Sequence, residues 1–192
     1  LGQRAAHLEL AHRLVVPGDQ LAVVPASADL DERRGPALAA AVVVALLVSG
    51  VVELTRDGGK HWANVTPPGV APDGRAEMIS PSPLTAGTAY AVIDRHLLGD
   101  YAPYAFVTRD WGAHWTAIAA GLPPQSARSI RADTRNPSLV YAGLENSFWL
   151  SYDDGTHWRK PALGLPTAAV YDIRVQPRWN DLVLATHGRA AW

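Results

Sequence analysis

From Val51 to Trp192 the chain is a succession of short apolar-rich runs separated by Gly, Pro, Asp, Asn and Ser. Ala89–Ile93, Leu139–Gly143 and Leu182–Thr186 are the clearest of these runs. Each is preceded by a second strand-like stretch, at Met78–Pro81, Ser129–Ala132 and Tyr171–Val175. Runs this short, rich in β-branched and aromatic residues and bounded by turn formers, predict strands rather than helices. The spacing between them is regular enough to look for a repeat before any individual element is placed.

The repeat is most visible at a turn. Thr55-Arg56-Asp57-Gly58-Gly59-Lys60-His61-Trp62, Thr108-Arg109-Asp110-Trp111-Gly112-Ala113-His114-Trp115 and Ser151-Tyr152-Asp153-Asp154-Gly155-Thr156-His157-Trp158 share one pattern: hydroxyl-x-Asp-x-Gly-x-His-Trp. Each residue type has a physical reason to stand where it does. An Asp carboxylate accepts hydrogen bonds from the backbone N–H groups of the turn that follows it, and a Ser or Thr hydroxyl two residues earlier adds a local bond. Gly two residues after the Asp allows the positive φ that closes the turn. Trp opens the returning strand and has a large apolar surface to bury against a neighbouring unit. Thr55, Asp57, Gly59 and Trp62, with Thr108, Asp110, Gly112 and Trp115 and with Ser151, Asp153, Gly155 and Trp158, are therefore read as structural. His61, His114 and His157 are read as packing or edge residues of the same repeat.

Two strands before each turn and two around it make a four-stranded unit, A to D, with the Asp turn between C and D. Four-stranded units of ~40–50 residues are blades of a β-propeller. The fold class expected is all-β, a partial β-propeller. Asp57 and Asp110 are 53 residues apart, but Asp110 and Asp153 only 43. Most of the difference falls between Tyr90 and Asp110, 20 residues against the 12 from Tyr141 to Asp153, which places an insertion at the B–C connection Asp94–Pro103. That connection is expected to project from the face opposite the Asp turns.

Composition divides the chain. All 15 aromatic residues follow residue 50, whereas residues 1–50 are rich in Ala, Val and Leu and contain no Lys. Residues 1–50 are thus set apart as an atypical segment, and 51–192 as consecutive blades. The apolar run Ala37–Val48 is shorter than the ~20 residues of a membrane span. It leaves three readings open: a signal-peptide core, a buried helix or strand, or sequence outside the propeller frame. The balance of 17 Lys and Arg against 18 Asp and Glu provides no field to attract nucleic acid or an anionic membrane. Without cysteine there are no disulfides or thiolate metal sites. Phosphate-binding glycine loops, a nucleophile elbow and metal-ligand spacings such as HExxH do not occur, so no metal and no cofactor is assigned.

The turns resemble the Asp boxes of bacterial neuraminidase-type repeats. The stretch from Gly50 to Trp192 is similar to the sortilin-like, glycosyl hydrolase-like propellers of bacteria. Val51–Trp62, Ala89–His96 and Asp181–Arg189 carry that likeness. The resemblance implies a ring of more blades than the chain holds, with one partial blade, two complete and one partial. It therefore implies a fragment completed by the remaining blades of a longer chain. It also implies a scaffold for peptide or glycan recognition, with a glycoside hydrolase of sialidase or xyloglucanase type in the complete protein as the alternative, and it points to an exported protein.

In such a ring the Asp turns mark one face, and ligands are expected at the other. The residues predicted there are Asp94, Arg95, His96, Asp100, His187 and Arg189 for ligand binding. Glycoside hydrolysis generally needs two carboxylates flanking the scissile bond, and Asp94, Glu145 and Asp172 are the candidates. Sialidase-like chemistry would draw on Arg95, Arg128 and Tyr171, although no motif singles them out.

Overall fold

Thirteen short strands and one 3-10 turn account for the regular structure among the described residues. The computed structural model describes residues 50–56, 60–70, 74–176 and 178–192, together with the backbone of 21–24 and 42–46. Asp57 and Gly59 of the first Asp turn lie outside the described residues, as does most of residues 1–50. Among the described residues no helix is long and apolar enough to cross a membrane.

The strands form four antiparallel sheets in chain order. The first contains β1 (Leu21–Val24), β2 (Val42–Leu46), β3 (Val52–Thr55) and β4 (Ala63–Asn64). Its β1 and β2 belong to the Ala/Val/Leu-rich segment, and β2 pairs with β3 with Val42 opposite Thr55. The second contains β5 (Arg75–Pro81), β6 (Ala89–Arg95), β7 (Asp100–Thr108) and β8 (Thr116–Ala117). In the third, β9 (Ala127–Ala132), β10 (Val140–Leu144) and β11 (Phe148–Ser151) are followed by a single bridge, Leu150 to Arg159, in place of a fourth strand. The fourth begins with β12 (Val170–Val175) and β13 (Leu182–Thr186). Trp192 pairs with Leu184 through both backbone N–H groups, at 3.0 and 2.9 Å, and so starts a third strand there.

Successive sheets stack face to face, β2 on β5, β5 and β6 on β9, and β9 and β10 on β12. This is the arrangement of propeller blades, and the fold is a partial β-propeller. Strand alternation sends each side chain to one of two neighbours. On β6, Ala91 and Ile93 face the first sheet with Val52, Ile79 and Phe106. Tyr90 and Val92 face the third, with Ile130, Val140, Leu144 and Trp158. Tyr141, Phe148, Val170, Ile173 and Leu184 fill the next interface. Ile79, Ile130 and Ile173 hold the same place on the three inner strands and all are buried. Each contributes about 1.5–3 kcal/mol by leaving water.

The two described Asp turns are built alike. Asp110 Oδ1 accepts from the Thr108 hydroxyl at 2.9 Å and the His114 N–H at 2.9 Å, while the Thr108 hydroxyl accepts from the Gly112 N–H at 2.9 Å. The corresponding bonds of Asp153 to Ser151 and His157, and of Ser151 to Gly155, are 2.8, 2.8 and 2.9 Å. Gly112 and Gly155 have φ of 83° and 86°. Glycine is required for a second reason the sequence does not show: a Cβ there would stand 2.6 Å from Val65 and 2.9 Å from Ile118 of the preceding sheet. The tryptophans follow the same rule, Trp115 Nε1 donating to the Val65 carbonyl and Trp158 Nε1 to the Ile118 carbonyl, both at 2.6 Å. Of packing and edge positions, His114 and His157 take the second: they are exposed rings whose Nδ1 lies 2.6 Å from the Asp carboxylate, and they close the turn.

The B–C insertion also takes an unexpected form. Its residues lengthen the hairpin, giving β6 seven residues and β7 nine where β10 has five and β11 four. The tip is one 3-10 turn, His96–Leu98, closed by Gly99 at φ 74°. Backbone pairing resumes between Arg95 and Asp100 after a register shift beyond Ile93, and satisfies groups that a loose loop would leave to water. This tip lies at the end of the second sheet opposite the Asp110 turn.

Candidate functional site

Each inner strand from β5 onward carries a β-bulge at the same place. Pairing skips from Ala76 to Met78 on β5, from Ala127 to Ser129 on β9, and from Val170 to Asp172 on β12. The skipped residues are Glu77, Arg128 and Tyr171, each two positions before the buried isoleucine of its strand. An unpaired extra residue bends the strand and re-aims its side chain, which is why bulges are frequent beside binding sites. At the end of the neighbouring strand lies a second set, Asp94, Glu145 and His187, again at matching places in consecutive sheets: each follows the residue paired just before the bulge, Ile93, Leu144 and Thr186. Each of these three blades thus offers two side chains at the B–C end, one from a bulge and one from the end of strand B.

Arg128 sits at the centre of these sets. Its Nη1 donates to Asp94 Oδ2 of the preceding blade at 2.7 Å, and its Nε to Glu145 Oε2 of its own blade at 2.6 Å. The guanidinium carbon lies 5.5 Å from the Tyr171 ring of the following blade. The Tyr171 ring in turn meets the edge of His187, centroids 5.7 Å apart. Arg128 and Asp94 are buried, whereas the Glu145 side chain is 40 % exposed and opens the cluster to solvent.

The electrostatics follow from this geometry. Burial acts to raise the pKa of Asp94, but the His96 hydrogen bonds and the Arg128 charge outweigh it and hold the carboxyl below its ordinary value. Because Asp94 is then ionised, the Nδ1 of His96 that rests on Oδ2 carries the proton and donates it, beside the His96 backbone N–H at 3.1 Å. Burial likewise opposes the charge on Arg128, and the Glu145 bond and Asp94 charge overcome it, raising the pKa further. Burial dominates at Glu77 and raises its pKa, with Arg75 and Arg128 acting in the other direction.

Among the sequence-predicted residues, Asp94 and Glu145 meet at Arg128, His96 joins through Asp94, and His187 through Tyr171. The other candidates do not. Asp100 accepts from Tyr104 at 2.7 Å and pairs with Arg95 at 3.1 Å within its own hairpin, while Arg95 also donates to the Val70 carbonyl in the segment before β5. Asp172 lies one residue beyond the bulge and is held by Arg131 at 3.2 Å and Arg174 at 2.7 Å. Arg189 is exposed beyond β13, its carbonyl accepting from the Trp192 indole.

Glu77 and Arg131 were not singled out from sequence. Arg131 ties three blades, reaching the Ile173 carbonyl at 3.0 Å, Asp172, and the Ser80 hydroxyl at 3.4 Å. Aligning the units on Ile79, Ile130 and Ile173 would have placed Glu77 beside Arg128 and Tyr171. The bulge that turns these residues out of ordinary strand alternation leaves no mark of its own in sequence.

The chain matches no protein-family model and no curated protein. Its backbone is similar to solved structures. The GH74 xyloglucanase from Xanthomonas campestris superposes with a TM-score of 0.64 at 14 % identity, over 80 % of this chain and 25 % of that one. YCF48 bound to a D1 peptide gives 0.56 at 20 % identity, over 77 % of this chain and 44 % of that one. YCF48 from Cyanidioschyzon merolae gives 0.58 at 14 % identity, over 81 % and 50 %. The chain spans a quarter to a half of these proteins, and at such identities the likeness establishes the fold: this chain is β-propeller blades.

Proposed function

We propose that the chain is part of a sortilin-like, Asp-box propeller that recognises a peptide or glycan through the B–C end of its blades. The remaining blades would come from a longer, exported chain. The observation that carries this reading is the double engagement of Arg128. Asp94 and Glu145, the carboxylates best placed for chemistry, both spend their charge on one guanidinium. A glycosidase acid must hold a proton and its partner must face the sugar, whereas Asp94 is buried, ionised and fully bonded. Such a network fixes a recognition surface, with Tyr171 and Glu145 exposed at its rim. The solved YCF48 structure with a D1 peptide supports peptide recognition by a similar fold.

The test is binding of the 192-residue chain to peptide and glycan arrays, repeated with Tyr171→Ala. Ligands retained by the wild-type chain and lost by the variant are expected; retention of all of them by the variant would remove the B–C end from the reading. One observation favours hydrolysis as a second reading: burial pushes the Glu77 carboxyl upward, the direction a general acid requires, and the xyloglucanase shares the fold. Release of reducing ends from xyloglucan, abolished by Glu77→Gln, would establish that reading instead.

A further inference from the structure

The three bulge residues differ in how completely they are satisfied. Arg128 donates to Asp94 and Glu145, and Tyr171 is covered by Arg128 on one side and His187 on another. Glu77 is the exception. Its side chain is only 8 % exposed, yet the buried Oε2 accepts no hydrogen bond. Arg75 Nε lies 3.2 Å away without hydrogen-bonding alignment, on a side chain that is itself 47 % exposed. A buried carboxylate oxygen left without a donor is costly, and native structures rarely leave one unanswered.

The repeat indicates what belongs beside it. In the next blade, the place between successive strand-B ends is filled by the guanidinium of Arg128, which bonds to the carboxylates of Asp94 and Glu145. At the Glu77 step the bulge residue is a carboxylate, so the protein supplies no such cation of its own from that position. The charges facing Glu77 are Asp94 on β6, His96 on the hairpin tip, Arg128 on β9 and Arg75 on β5. Arg128 is already bonded to Asp94 and Glu145, and an added donor that carries positive charge satisfies the orphaned oxygen.

Resting on the recognition reading above, we propose that Glu77 receives a cationic side chain, lysine or arginine, of a peptide ligand at the B–C end. Titration calorimetry of the 192-residue chain with hexalysine, hexaglutamate and cellohexaose tests it. Hexalysine is expected to bind, and Glu77→Gln to weaken it at least tenfold while leaving the thermal unfolding midpoint unchanged or raised. Asp181→Asn, an exposed acid at the opposite end of the blades, is expected to leave affinity unaltered. Equal binding by Glu77→Gln, or equal weakening by Asp181→Asn, would overturn the assignment. Binding of hexaglutamate or cellohexaose without hexalysine would overturn the cation while leaving recognition standing. If no probe binds, neither the cation nor the recognition reading survives for this chain.

Discussion

The two ends of the blades follow opposite rules. At the Asp-turn end, the bonds around Asp110 and Asp153 agree to within about 0.1 Å, and each of these carboxylates is satisfied by residues within the same eight-residue motif. At the B–C end, the equivalent places hold Glu77, Arg128 and Tyr171, and Asp94, Glu145 and His187, and their bonds cross from blade to blade. The first end is repeated because a local turn needs the same residues wherever it occurs. The second varies because the backbone there only presents a side chain, and the chemistry presented is free to change. A repeat frame thus separates what folds the blade from what the blade exhibits.

The comparison is broken most severely where the two ends share a core. Trp158 starts just after an Asp turn but is buried in the cluster that contains Val92, Ile130 and Leu144. Trp158→Ala is expected to cost about 3–5 kcal/mol in urea unfolding, from lost burial and the lost bond to Ile118. A cost near zero would mean that the turn, and not the interface, positions this residue.

The next largest effect belongs to the B–C end. Arg128→Met leaves Asp94 ionised and buried without its cation, and is expected to destabilise by about 3 kcal/mol. The double variant Arg128→Met with Asp94→Leu is expected to recover much of that loss, because it removes the orphaned charge. Failure of the second substitution to recover stability would show that the ion pair is not what makes Arg128 necessary.

A smaller effect distinguishes the Asp turns by pH. The His114 hydrogen bonds, backbone first, hold Asp110 down to about 2, and those of His157 hold Asp153 at about 2, against an ordinary 3.8. A depressed folded-state pKa gives stability that is complete above the unfolded value and lost as pH falls through the folded one. Stability should therefore decline between about pH 4 and pH 2. Asp110→Asn with Asp153→Asn should flatten that decline, leaving the part due to Asp94. An undiminished slope in the double variant would place the acid sensitivity elsewhere.

The smallest effect is at the hairpin tip. Leu97 and Leu98 are exposed on a turn whose strands are already paired. Leu97→Ser with Leu98→Ser is expected to change stability by less than about 0.5 kcal/mol. A larger loss would mean that the tip packs against further structure.

Much of this was legible before the structure. The Asp turns, their hydroxyl and glycine partners and the strand pattern around them depend on neighbours close in sequence, and local residue types report local bonds. The candidates Asp94, Glu145 and His187 were legible for a related reason: each directly follows the last apolar-run residue of strand B, Ile93, Leu144 or Thr186, and the end of such a run is visible in sequence. Arg95, Asp100 and Asp172 were drawn in by the same logic, and each has its partner within its own hairpin or on an adjoining strand. Nothing in residue type separates a charge that faces a ligand from one that steadies a hairpin.

By itself, then, the sequence determined the all-β class, the blade unit, the turn chemistry and the end of the blade at which charged residues gather. Only the tertiary structure decided that Arg128 joins two carboxylates from different blades, that Glu77 stands unsatisfied beside it, and that the B–C insertion is paired strand. It also revealed that Gly112 and Gly155 are required by the preceding sheet as well as by their turns. The physical reason is range. Hydrogen bonds within a turn span a few residues and leave a pattern, whereas Arg128 and Asp94 are 34 residues apart. They meet only because hydrophobic burial stacks one blade upon the next.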